Sequence, residues 1–185
     1  MTVKEIVTLT ATFLGRREII NLIKKGEEAG ESVGQSVEAL VDLTNVVINE
    51  LAFSYIPSIK IEDAVAKNRR VYYKDLSETA LKIHNVYDMG GKKTNFSYTP
   101  EYIIVGADKV SVEYEYSPKA KTIDEDVCYM EKDVPARVIA YGVASEFCIV
   151  EGDFDQAVMW HKRYTDAIAD ICLPKNKTIA ARRWA

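Results

Sequence analysis

The sequence predicts an α+β fold, and three observations carry the prediction. Apolar residues recur at helical spacing up to about residue 57 and again after residue 133, while between residues 69 and 128 the period falls to two. No helical pattern separates successive strands in that middle stretch, which argues against a βαβ arrangement. The economical architecture is a discontinuous helical bundle built from both ends of the chain, residues 1–68 and 133–173, with a small antiparallel β-layer over 69–128 inserted into it. Residues 1–173 then form a single domain, and 174–185 an extended C-terminal arm.

The first helical stretch opens with Thr2 and, three residues later, Glu5, the spacing of a capping box, followed by Ile6, Leu9, Phe13, Ile20 and Ile23. Gly15 interrupts the run, so one or two short helices are expected. Residues 26–34 combine three glycines with three acids and read as an exposed linker. A better helix starts near Gln35 or Ser36, carries Val37, Leu40, Val41, Val47, Ile48, Leu51 and Tyr55 on one face, and stops at Pro57. Residues 58–68 keep a weaker pattern in Ile61, Ala64 and Val65; they read as a short helix, with an ordered crossing as the alternative.

Val110, Val112, Tyr114 and Tyr116 alternate with Ser111, Glu113 and Glu115, the signature of a half-buried antiparallel strand. Leu81–Tyr87 and Tyr102–Val105 are further strands and Val71–Tyr73 is a fourth, with turns at Gly90-Gly91 and Gly106-Ala107-Asp108. Seven of the eleven tyrosines lie in this region, in keeping with strand preference for aromatic residues.

Helix returns after Asp133. Residues 136–150 are apolar nearly all round, Gly152 is suited to a left-handed helix end, and Asp153 with Gln156 caps the next helix. So short a connection forces an antiparallel hairpin. Phe154, Ala157, Val158, His161, Tyr164, Ile168 and Ile171 trace the expected inner face of the second helix.

The arm that follows carries four positive charges and no acid, and ends Arg182-Arg183-Trp184-Ala185. Idle termini are usually polar, whereas Trp and Arg are the residue types most enriched at interface hot spots. Ile179, Arg182, Arg183 and Trp184 are therefore the candidate partner-binding residues. Packing of the arm back on its own subunit is the competing reading.

Function classes narrow by exclusion. A net charge of −4 argues against a general nucleic-acid binder, and no apolar run approaches the roughly 18 residues of a membrane span. Cys128, Cys148 and Cys172 are scattered and odd in number, so neither a disulfide framework nor a metal knuckle is indicated. His84 and His161 lack a Cys or carboxylate at ligand spacing, and the acids Asp124, Glu125, Asp126, Glu131 and Asp133 read as a solvated connection. The glycines form no phosphate loop, and Gly90-Gly91-Lys92-Lys93 reads as a hairpin tip. No catalytic residue, metal ligand or cofactor is assigned, and the chain is not expected to be an enzyme. Tyrosines on the strands offer an alternative, a small carbohydrate- or peptide-binding module; a hydrolase using the acids of 124–133 ranks behind it.

The run Ala136-Arg137-Val138-Ile139-Ala140-Tyr141-Gly142-Val143-Ala144-Ser145-Glu146-Phe147-Cys148, followed by Gly152-Asp153-Phe154-Asp155-Gln156-Ala157 and Trp160-His161-Lys162-Arg163-Tyr164, resembles the C-terminal helical hairpin of tailed-phage head-tail adaptor proteins, also called connector or neck proteins. Asn49-Glu50-Leu51-Ala52, the strand end Tyr114-Glu115-Tyr116-Ser117-Pro118 and the closing Arg182-Arg183-Trp184 add to the likeness, which spans most of 37–185. The first 35 residues lie outside it. The resemblance implies a structural virion protein, made in the host cytoplasm and resident at the head-tail junction as a head-completion factor. Its copies would form a ring, a dodecamer, under the portal protein of a DNA-filled capsid, with the arm reaching the portal and the β-layer facing a tail or second neck protein. It implies no sequence-specific nucleic-acid binding.

Overall fold

In the computed structural model, which describes residues 1–26, 30–130 and 132–173, five α-helices and seven strands make an α+β fold. Helix α1 (Val3–Phe13) carries the expected capping box: the Thr2 hydroxyl accepts from the Glu5 N–H at 3.3 Å, and the Glu5 carboxylate accepts from the Thr2 N–H at 2.9 Å. Gly15 sits at φ 69° and turns the chain into α2 (Arg17–Lys25), which buries Ile19 and ends on left-handed Gly26. Helix α3 (Glu31–Glu50) begins earlier than expected, so the connection covers only residues 26–30, of which 27–29 lie outside the described residues. Gly34 is tolerated inside the first turns, where Glu31 faces the positive end of the helix dipole.

The helix does not simply stop at Pro57. Leu51–Tyr55 widens into a π-helical turn in which the Ile56 N–H donates to the Leu51 carbonyl at 2.7 Å. Beyond it, the expected helix over 58–68 is instead a strand, β1 (Ile59–Val65). Three residues at spacing three and four are too few to hold a helix, whereas exposure alternates strictly along this segment.

Strands β2 (Arg70–Tyr72), β3 (Thr79–Asp88), β4 (Lys93–Thr94), β5 (Phe96–Tyr98), β6 (Tyr102–Val105) and β7 (Lys109–Ser117) complete two antiparallel sheets, ordered β1-β7-β3-β4 and β2-β6-β5. The inserted layer is thus double, and it runs from 59 to 117 rather than 69 to 128. Its inner faces share one core, including Val71, Ile83, Val86, Ile103, Val110, Val112 and Tyr114. Residues 123–127 have already returned to the helices: the Val3 N–H donates to the Glu125 carbonyl at 3.1 Å and the Lys4 N–H to the Ile123 carbonyl at 2.8 Å.

Helices α4 (Ala136–Glu151) and α5 (Phe154–Cys172) form the expected hairpin around Gly152, at φ 80°, and Asp153, whose carboxylate accepts from the Gln156 N–H and side-chain amide. Helix α4 packs against α1, α3 and α5 and buries residues on most of its circumference. At Gly142 the approach is closest: a Cβ there would lie 2.9 Å from Val47 Cγ1 and 3.0 Å from the Tyr164 ring. Both neighbours are buried and neither has space to retreat.

Two stability predictions follow from these contacts. Gly142→Val should cost about 3 kcal/mol, since overpacking outweighs the few tenths of a kcal/mol gained in helix propensity. Asp153→Ala should cost about 1 kcal/mol through loss of the cap. Urea unfolding of each variant with an unchanged slope checks both.

Candidate interaction surfaces

The hairpin is the natural place to look first, because it leads directly into the basic arm. Trp160 is buried in a triangle of rings with Phe13 and Tyr141, at centroid distances of 5.4 and 5.8 Å, with the Arg163 guanidinium 4.8 Å from its ring centroid. Tyr164 and Ile168 continue this buried face, and the Tyr164 hydroxyl donates to Glu50 at 3.3 Å. Burial pushes the Tyr164 phenol well above the usual range, with the Glu50 carboxylate adding to the shift.

The inner face of α5 is therefore Ala157, Trp160, Tyr164 and Ile168, and part of the sequence expectation is corrected. Phe154 and Val158 point outward, 66% and 70% exposed, and His161 is exposed as well. The residues at stake differ by one helical step. Trp160, the largest ring of the segment, was the available signal: a face that omits it leaves out the side chain with most apolar area to bury.

Ile149, Phe154 and Val158 are exposed apolar residues gathered at the hairpin turn, and Val150 beside them in sequence is exposed as well. An open cleft of about 370 Å³ runs between them, lined by Ser145, Glu146, Ile149, Phe154, Ala157, Val158 and His161. Exposed patches of this kind are uncommon on surfaces that meet only water. At the other end of α5, Tyr55, Ile56, Pro57, Lys132, Asp133, Ile171 and Cys172 surround a second hollow of about 420 Å³, where the chain leaves for the arm. Ile179, Arg182, Arg183 and Trp184 lie outside the described residues.

The strand tyrosines are dispersed. Tyr114 is fully buried and its hydroxyl donates to Glu62 at 2.8 Å, Tyr73 donates to the Thr99 carbonyl at 2.9 Å, and Tyr98 donates to the Ile83 carbonyl. Tyr72 and Tyr102 do pair, at 5.3 Å, with Arg70 over Tyr102 and Lys74 over Tyr72. This small aromatic and cationic group is what the binding-module alternative would have to use.

On the outer face of the larger sheet, His84 Nε2 lies 2.7 Å from Glu115, while Asn85 and Tyr87 donate to Glu113 at 2.5 and 2.8 Å. Hydrogen bonds from Asn85 and then Tyr87 hold the Glu113 carboxyl below its ordinary value near 4.5. In the acidic connection, Glu125 accepts from the Thr122 N–H and hydroxyl at 2.7 and 2.8 Å and so closes a turn. Among the described residues, no group of three His, Cys, Asp or Glu side chains could hold a metal ion. No helix among them is long and apolar enough to cross a membrane. Burial pushes the thiols of Cys128 and Cys148 up, away from the reactive thiolate form.

No family model matches this chain, and no curated protein does.

The depressed Glu113 carboxyl gives a pH prediction. Its contribution to stability is fully present above the ordinary carboxylate value and is lost as pH falls below 4.5 through the lower folded value. Tyr87→Phe should move the Glu113 titration, followed by carboxyl NMR, back toward 4.5. It should also flatten the acid limb of the stability curve.

Proposed function

We propose that this protein is a structural head-tail adaptor of a tailed phage, whose copies form a ring that docks on the portal and links the DNA-filled capsid to the tail. The observation that carries the reading is the apolar exposure at the α4–α5 turn, Ile149, Val150, Phe154 and Val158, on a hairpin whose opposite face is fully packed. A subunit in a closed ring needs two different surfaces, one offered to each neighbour, and an exposed apolar patch on a rigid hairpin suits one of them. Rigidity matters here, because an ordered patch loses little conformational freedom on assembly.

The arm supplies the other half of the reading. Ile179 and Trp184 provide apolar anchors, and Arg182 and Arg183 provide bidentate donors for carboxylates on the portal. A single short arm binds weakly, but copies around a ring act together, so docking is strong only when subunits and portal are both assembled. The tail or second neck protein would meet the opposite, β-rich end. The protein works as a virion component by shape and adhesion, without catalysis or cofactor.

Two measurements test this. Trp184→Ala should weaken binding to purified portal by about 2 kcal/mol per arm, roughly thirtyfold, and deletion of 174–185 should abolish it, as read by cosedimentation. Phe154→Asp with Val158→Asp should block ring formation while leaving the melting temperature of the subunit unchanged, since both side chains are exposed. Normal portal docking by the deleted form would refute the role of the arm.

A further inference from the structure

We propose that the open edge of the larger sheet is a self-recognition surface, at which β1 pairs antiparallel with β1 of a second copy of this chain, Ile61 lying on the two-fold axis. The sheet edges are unequal. Strands β2, β4 and β5 are two or three residues long, and brevity is one way natural sheets keep an edge from recruiting another strand. By contrast β1 has seven residues, keeps an unbroken register from Ile59↔Glu115 to Val65↔Lys109, and among the described residues pairs on one side only.

The bonding pattern decides what that edge presents. The Ser58 carbonyl accepts from the Tyr116 N–H at 3.0 Å, and the Ala66 N–H donates to the Asp108 carbonyl at 2.8 Å. Even-numbered residues between them therefore face β7, and the N–H and C=O groups of Ile59, Ile61, Asp63 and Val65 point away from it. The side chains of Ile59, Ile61 and Val65 are 52%, 61% and 67% exposed. The charges of β1, Lys60, Glu62 and Asp63, would keep it from pairing with a strand of arbitrary sequence, so a partner has to match them.

Complementarity is written into β1 itself. An axis through Ile61 sets Lys60 opposite Glu62 of the second copy, and Glu62 opposite its Lys60. These become non-hydrogen-bonded pairs, the kind whose side chains come closest, with Cα atoms about 4.5 Å apart. Ile59 and Ile61 of both copies then form a diagonal cluster on the exposed face. Moving the axis to Lys60 or to Glu62 places like charges directly opposite, so charge selects this register. Within one chain Lys60 and Glu62 lie 3.9 Å apart, and Glu62 also accepts from the Tyr114 hydroxyl at 2.8 Å and the Ser77 hydroxyl at 2.6 Å, so facing the second copy exchanges some of these bonds for pairs with its Lys60 and Glu62.

This contact is isologous and closes at two copies, and it does not depend on the adaptor reading, whose ring grows head to tail through other residues. Sedimentation velocity of the full chain over a concentration series, without portal, tests it. The expected result is a monomer-dimer equilibrium in which Lys60→Glu and Glu62→Lys each raise Kd about tenfold, since each change creates two like-charge facings. The double reversal should return Kd to within about threefold of the starting value, because opposite charges face each other again. Ile61→Pro should abolish the dimer while preserving the circular dichroism melt, since the N–H it removes faces away from β7. Phe154→Asp should leave the dimer intact. A chain that stays monomeric, or a double reversal as weak as the single changes, overturns the proposal; should Ile61→Pro fail to fold, the charge variants still decide it.

Discussion

The absence of a side chain at Gly142 is the constraint on which the helical part is built. It lets α4 lie close enough to α3 and α5 for Val47 and Tyr164 to meet over its backbone. Helix α4 becomes the shared wall of the bundle, in contact with α1 on another side. Segments far apart in sequence are thereby held by one helix, and this is what allows the two ends of the chain to form one core around an insertion.

That core and the core between the sheets are separate clusters. They are joined by polar and mixed contacts rather than by a continuous apolar layer. Asn45 exchanges two hydrogen bonds with the backbone of Lys121, at 2.9 and 2.8 Å, and the Ser117 hydroxyl donates to Asn49 at 3.2 Å. Directional bonds of this type fix orientation with little burial, and they position the β-layer relative to the hairpin.

Much of this was legible in the residues. The Thr2 and Glu5 cap, Gly15, the Gly152-Asp153 turn and the alternation of Val110 to Tyr116 are local signals, and local geometry obeyed them. What escaped was decided by tertiary contact. β1 pairs with β7, some fifty residues away, and no local pattern announces that partner; Ile61, Ala64 and Val65 instead mimicked a weak helix. Likewise the two faces available to α5 differ by a small rotation, and the choice was made by Phe13 and Tyr141, which receive Trp160. The exposed hairpin patch was hidden for the same reason: Phe154 and Val158 have core composition, and only packing shows that they are outside. The arm was legible as chemistry, in Trp184 and its arginines, though its position lies beyond the described residues.

The β-layer leaves and rejoins the bundle at neighbouring points, for β1 begins where β7 ends, with Ser58 bonded to Tyr116. A closed pair of stems makes the layer exchangeable. Any segment whose ends sit one strand spacing apart, about 5 Å, would satisfy the same helices. The layer could therefore be replaced wholesale without disturbing the core of the bundle, which is a separate cluster. The fold thus separates residues that must fit one another throughout from a segment that need only match at its two stems.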